Sequence, residues 1–431
     1  MKRGPNTHVL APYHGTLPIL RWALVPLLML FIFTMSRMTS PQLQGPCLLA
    51  QALSPARPPA EHRGTERYCW ALIGNEAGHL VKEQAAGIGA KVFRLSWRNY
   101  VPHANQPSPA YIERKRAELG QLRQAGFAVI LNLGLHDTPK WVHENYNDSY
   151  YVNQFGTPYR GDTLDSGDAN VIFNPTVRTL VAAYIQNVFA DFGTDYAAVR
   201  LGGGRYGELT YPPAKFGSTQ NAYWAFDRNA LTQSPTPHWR PGQPSPADEV
   251  SRFLTWYLDT LVQFQQWQIM TVRKSYSGPL MLLYPSWGIR PGQIEEAIAV
   301  NLDGSSEAEH HGEIQRGLDF ARQIVAINDP NVIITTTWLD ANASADDDAD
   351  PRYWSPVKYL ASLTQSHSPV LKLFGENTGR GQVVEMERSA LQMERYGLLG
   401  MAWYREEELF SGQYATLADY ERIISGRATI P

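Results

Sequence analysis

From Tyr68 onward, short apolar runs rich in β-branched residues alternate with longer stretches whose apolar residues return every three or four positions. Short runs of this kind suit strands buried on both faces, and the longer period suits helices lying on them. Eight strands are expected, at Trp70–Ile73, Val92–Ser96, Ala128–Leu133, Ala197–Leu201, Leu280–Tyr284, Val332–Thr336, Val370–Phe374 and Leu399–Trp403. Between them the pattern predicts amphipathic helices, among them Pro109–Ala125, Pro175–Phe192, Ala247–Val272, Gly312–Ile327 and Val384–Tyr396. Ser108 and Asn174 each precede a proline, a capping side chain followed by the residue best suited to the first helical position. Eight βα repeats predict an α/β fold, a (β/α)8 TIM barrel, as one large domain over residues 68–431.

Two connections are much longer than the few residues usual in this architecture: Pro139–Phe173 after strand three and Thr210–Asp248 after strand four. They carry Trp141, Tyr146, Tyr150, Tyr151, Tyr211, Tyr223, Trp224 and Trp239. Disordered segments are poor in aromatics, so both loops are expected to be ordered walls of a cleft. The acidic run Ala345–Asp350 matches no calcium-loop spacing and is expected to be a solvated loop.

Ahead of the barrel, Lys2, Arg3 and Arg21 precede the apolar run Trp22–Met35, the pattern of a signal peptide or a membrane anchor over residues 1–40. Extended back to Leu17 the run nearly reaches spanning length, so a single N-terminal anchor is favoured slightly over cleavage. Either outcome places the barrel outside the cytoplasm, secreted or held at the outer face of the membrane. Residues 41–67, rich in Pro, Ala, Gln and Arg, read as a flexible linker. Cys47 and Cys69 are too few for a disulfide framework, though one bridge fits if the leader is retained. No Cys/His spacing suggests a metal, and none is expected. A formal net charge of -3 provides no global field for polyanions, so nucleic acid is not an expected partner.

In a barrel of this kind reactive groups project from the C-terminal ends of different strands. Here those ends offer Trp97 and Arg98 after strand two, His136 and Asp137 after strand three, and Arg205, Tyr206 and Glu208 after strand four. Strand five supplies Tyr284 and Trp287, strand six Trp338 and Asp340, strand seven Glu376 and Asn377, and strand eight Trp403. Flat aromatic faces and polar groups together suit a hydroxyl-rich ring, an oligosaccharide or polysaccharide. Cleaving a glycosidic bond takes one carboxyl to protonate the leaving oxygen and a second to attack or to activate water. Glu208 and Glu376 stand at strands roughly across the barrel, each after a glycine. The competing explanation for either is a structural ion pair with Arg205, Arg98 or Arg380. Gly202–Gly204 lacks a following Lys-Ser/Thr, so no nucleotide cofactor, and no cofactor of any kind, is expected.

The stretches KVFRLSWRNYVPHANQPSPAYI and QAGFAVILNLGLHDTPKWV resemble the start of the barrel in β-galactosidase-type enzymes of the large retaining glycoside hydrolase clan. That resemblance implies an acid/base after strand four and a nucleophile after strand seven, which carry over to Glu208 and Glu376, and hydrolysis of β-galactosides or β-glucosides. The clan's Asn before the acid/base is replaced here by Gly207. The segment Gly207-Glu208-Leu209-Thr210-Tyr211-Pro212 instead resembles the Gly-Glu-Leu-x-Tyr-Pro motif at the proton donor of β-amylases, which implies an inverting α-glucan hydrolase. A catalytically silent barrel that binds extracellular polysaccharide is the alternative from another class.

Overall fold

A computed structural model describes residues 47, 68–161, 167–217, 221–379 and 381–427. Residues 1–40, almost all of the 41–67 linker and Arg380 lie outside the described residues, so the leader, the tether and any pairing by Arg380 are not part of the description. Among the described residues, no helix is long and apolar enough to cross a membrane.

Eight parallel strands close into a barrel in sequential order: β1 Cys69–Ile73, β2 Ala90–Arg94, β3 Ala128–Asn132, β4 Ala198–Leu201, β5 Leu280–Tyr284, β6 Val332–Thr336, β7 Lys372–Glu376 and β8 Gly400–Tyr404. The barrel closes by pairing β1 with β8, Cys69 opposite Gly400 and Ile73 opposite Tyr404. The TIM-barrel expectation therefore holds, with strand bounds moved by up to two residues. In β2 the strand ends before Ser96, because the Ser96 hydroxyl accepts from the Asn99 amide at 3.4 Å and caps the short helix Trp97–Tyr100. In β7 the apolar Val370 is 60% exposed ahead of the strand, while Glu376 continues the ladder opposite Ala402.

The two faces of the barrel wall enter different clusters. Ala71, Ala90, Val92, Ile130, Ala198, Met281, Leu283, Ile333, Phe374 and Ala402 point into the barrel and form one cluster. The alternate residues, Trp70, Leu72, Phe93, Leu131, Tyr284 and Trp403 among them, pack outward into the larger core beneath the helices. Alanines inside alternate with larger apolar side chains such as Phe374, Met281 and Ile333, and together they fill a narrow eight-stranded cylinder. The helices Pro109–Gln124, Pro175–Phe192 and Ala247–Arg273 form close to their expected bounds, the first two capped by Ser108 and Asn174. The helix expected over Gly312–Ile327 is only Phe320–Val325. Gly312 and Gly317 take φ of +86° and +74°, and the intervening Glu313 turns inward to accept from Ser286 Oγ at 2.6 Å and the Gly288 amide at 2.8 Å.

The two long loops are ordered over their described residues, but most of their aromatics build core and not cleft. Tyr223, Trp224 and Trp239 are buried in one aromatic layer, while Tyr211 stacks on Tyr257 at 4.1 Å and also lines the cleft. The acidic loop also departs from expectation, since Asp346 is buried and accepts from the Ser355 amide at 2.6 Å and its hydroxyl at 2.9 Å.

Cys47 and Cys69 form a disulfide, and Cys47 is buried with Cys69, Ala71 and Ala197 in the inward-facing cluster. A bridge across a sequence separation of 22 constrains the unfolded chain, a contribution of about 3 kcal/mol by loop entropy. Cys47→Ser is therefore expected to lower the melting temperature by several degrees, read by circular dichroism. Equal melting of the variant and the parent would show that the bridge carries no stability.

Candidate active site

The turn after β4 brings Glu208 to the mouth of the barrel by close backbone contact. A Cβ at Gly202 would lie 1.9 Å from the Gly207 carbonyl oxygen, so the chain folds back on itself only with glycine there. Gly207 itself takes φ of +80°. The Gly204 amide donates to the Glu208 carbonyl at 2.9 Å, and the Leu209 amide donates to Leu283 on β5 at the same distance. Glu208 is thereby clamped between its own turn and the neighbouring strand. Glu376 needs no such device, being the last residue of β7 on the inward-facing alternation begun by Phe374.

Both carboxylates line one cleft of about 560 Å³ at the C-terminal end of the barrel. That volume lies within the range of small-molecule sites. The Glu376 side chain is 14% exposed and its Oε2 accepts from Arg200 Nη2 at 2.6 Å. The Glu208 side chain is 13% exposed, its Oε1 accepting from Thr337 Oγ1 at 2.7 Å and its Oε2 standing 3.7 Å from Arg316. Burial raises the pKa of both above the usual carboxylate value. The opposing influences differ: a guanidinium in direct contact favours the anion of Glu376, whereas Glu208 has a more distant cation and also feels the charge of Glu376. The two carboxyls therefore stand in unlike electrostatic settings within one cleft.

Of the other expected residues, His136, Arg205, Tyr206, Trp338 and Asn377 also line this cleft. Asn377 ties β7 to β8, donating to the Tyr404 carbonyl at 2.8 Å and accepting from the Tyr404 amide at 2.6 Å. Tyr206 has φ of +61° and is 68% exposed at the rim. Asp137 and Trp287 are partly exposed but do not line it.

Five expected sugar contacts are placed elsewhere. Trp97 packs against Tyr184 in the outer core, Tyr284 stacks on Phe320 and donates to Gln265, and Trp403 lies against Tyr420 with no exposed surface. Tyr284 and Trp403 sit on the outward alternation of their strands, which turns them toward the helices. Arg98 donates to the Thr138 carbonyl at 3.3 Å, holding the β3 loop. Asp340 is buried and accepts from the Thr378 amide and hydroxyl, both at 2.7 Å, joining the β6 and β7 loops. The contrast between the two tryptophans is testable. Trp403→Ala should cost about 3–5 kcal/mol of stability, whereas Trp338→Ala should leave melting nearly unchanged and weaken ligand binding. Denaturant unfolding of the two variants checks the first half, and titration with oligosaccharides the second.

Arg94, Asn132, Arg200, Arg316 and Thr337 line the cleft without having been singled out in the sequence. Three of them carried a signal. In β2, β3 and β4 the inward alternation Ala90-Val92-Arg94, Ala128-Ile130-Asn132 and Ala198-Arg200 ends each time in a polar residue. Arg316 and Thr337 come from loops, where no periodicity points.

No protein-family model matches the sequence, and no curated protein matches it. Solved structures do resemble its fold. The catalytic domain of β-amylase from Paenibacillus polymyxa superposes with a TM-score of 0.63 at 16% identity, covering 85% of this chain and 99% of that one. A β-galactosidase from the psychrophilic Marinomonas ef1 superposes with a TM-score of 0.51 at 11% identity, covering 83% of this chain. The chain spans 59% of that β-galactosidase.

Proposed function

We propose that this protein is an exported glycoside hydrolase in which Glu208 is the general acid and Glu376 the carboxylate that attacks the anomeric carbon. The observation that carries the reading is the unlike setting of two half-buried carboxyls on one cleft. A proton donor beside an anion is what cleavage of a glycosidic bond requires, and Arg200 makes the two groups different. The likeness in fold to a β-amylase and a β-galactosidase supports the class. The substrates in this reading are β-galactosides or β-glucosides, hydrolysed with retention. The Cys47–Cys69 bridge agrees with an oxidising compartment, and hence with export.

A second reading keeps Glu208 as acid and makes Glu376 a base that activates water, giving inversion on α-glucans. It is favoured by Gly207 before the acid and by the β-amylase domain that matches along nearly its whole length. The product anomer decides between them. Hydrolysis of chromogenic glycosides and maltooligosaccharides, followed by proton NMR in the first minutes, should show the substrate's own anomeric configuration for retention. The opposite anomer establishes inversion, and no hydrolysis of any glycoside overturns both in favour of a binding barrel.

A further inference from the structure

The cleft carries a charge opposite to that of the chain. Over the whole sequence 41 acidic residues outnumber 38 Lys and Arg, but the described cleft wall holds five arginines and only two carboxylates. Those arginines are Arg94, Arg200, Arg205, Arg316 and Arg405, and no Asp or Lys joins them among the described residues. Glu376 faces Arg200, and Glu208 stands nearest Arg316.

Arg94 and Arg405 form a separate wall. They lie at the end of β2 and just after β8, the two strands that flank β1. Their side chains are 54% and 43% exposed. Arg94 Nη2 stands 3.1 Å from His136 Nε2, and its nearest acidic contact is Asp137 at 3.8 Å. Arg405 meets Glu408 at 3.5 Å and Glu407 at 3.8 Å. These acidic neighbours do not line the cleft, and their contacts are longer than charge-assisted hydrogen bonds. The guanidinium groups therefore depend on cleft water for much of their solvation.

A ring entering the cleft displaces that water. A purely neutral sugar would leave the two guanidiniums with hydroxyl contacts alone, while an anionic substituent would answer both their charge and their planar donor geometry. We propose that the substrate is an acidic saccharide, whose ring at the β1, β2 and β8 wall carries a carboxylate or a sulfate held by Arg94 and Arg405. This rests on the glycosidase reading and narrows it. Water still adds across the glycosidic bond, its hydroxyl to the anomeric carbon and its proton balancing the one given to the leaving oxygen.

The test uses the full chain and matched pairs of nitrophenyl glycosides: a glucoside with its glucuronide, a galactoside with its galacturonide, and a galactoside with its 6-sulfate. In each productive pair kcat/KM for the acidic member should exceed that of the neutral one by about tenfold or more, the worth of one or two charged hydrogen bonds. Arg94→Gln and Arg405→Gln should each bring the ratio toward one, and added sodium chloride should do so partly. Preference for the uronides identifies a carboxylate, and preference for the 6-sulfate identifies a sulfate. Calorimetry with free glucuronate, galacturonate and galactose 6-sulfate against the neutral sugars separates the two claims. Selective binding of the anions without hydrolysis of any glycoside would support the anion wall and sink the glycosidase. Equal turnover and equal affinity for neutral and acidic members would overturn the anion wall and leave the glycosidase intact. A ratio unaffected by both substitutions would likewise remove these arginines from recognition.

Discussion

Glu376→Ala is expected to abolish turnover on every glycoside, by on the order of 10⁵-fold, the scale on which removal of an enzymic nucleophile is felt. The loss should be indifferent to the leaving group, because the missing step is attack on the anomeric carbon and not protonation of the departing oxygen. The space left beside Arg200 suits a small anion. Azide should therefore restore turnover and yield a glycosyl azide of inverted configuration, detectable by NMR. The 2.6 Å contact between Arg200 and Glu376 gives the variant a second consequence. With its partner gone, a guanidinium only 6% exposed is left with uncompensated charge, and the variant should unfold more easily than the parent. Full activity in Glu376→Ala would remove this residue from the mechanism.

Glu208→Gln should differ in kind. Loss of the general acid should cost roughly 10²–10⁴-fold on substrates with poor leaving groups and far less on those that release an acidic phenol. The pH profile carries the same information. Burial and the neighbouring charge of Glu376 hold the Glu208 pKa above its ordinary value, so the acid form persists to higher pH than a free carboxyl allows. Activity on poor leaving groups should fall as pH rises through that raised value, and the variant should lack this limb. Stability follows the same sign. A carboxyl whose pKa is higher in the folded protein stabilises it fully below the unfolded value, and the contribution is lost as pH rises through the folded one. Replacing it by an amide that does not ionise should therefore make the melting temperature of Glu208→Gln rise relative to the parent across that interval. Equal losses on all leaving groups with an unchanged alkaline limb would assign the proton to another residue.

The positions of the two glutamates were legible because each comes after an apolar run and directly follows a glycine. Their partners were not. Arg200 is part of a run read only as apolar, and its place beside Glu376 exists because β4 and β7, three strands apart, both turn side chains into one closed cylinder. Arg316 reaches Glu208 from a segment read as helix, where the paired glycines at 312 and 317 make turns instead. The aromatic residues were misplaced for a different reason. Trp403 and Tyr284 stand beside strand ends in the sequence, but a strand turns neighbouring residues to opposite faces, and one step of parity separates the cleft from the outer core.

What the sequence by itself determined is the alternation of buried strands and amphipathic helices, and with it the eight-fold repeat and its helix caps, because local periodicity and capping chemistry act over a few residues. It also determined that two carboxyls would follow strands four and seven. Which face of each strand looks inward was decided only by closure of the barrel, which turns Ala71, Ala90, Ala198, Phe374 and Ala402 to the interior and Trp70, Tyr284 and Trp403 to the core beneath the helices. Tertiary structure likewise decided the electrostatics. A guanidinium and a carboxylate 176 residues apart meet at 2.6 Å only after the sheet has closed, and that contact gives one of two chemically identical side chains a setting the other lacks.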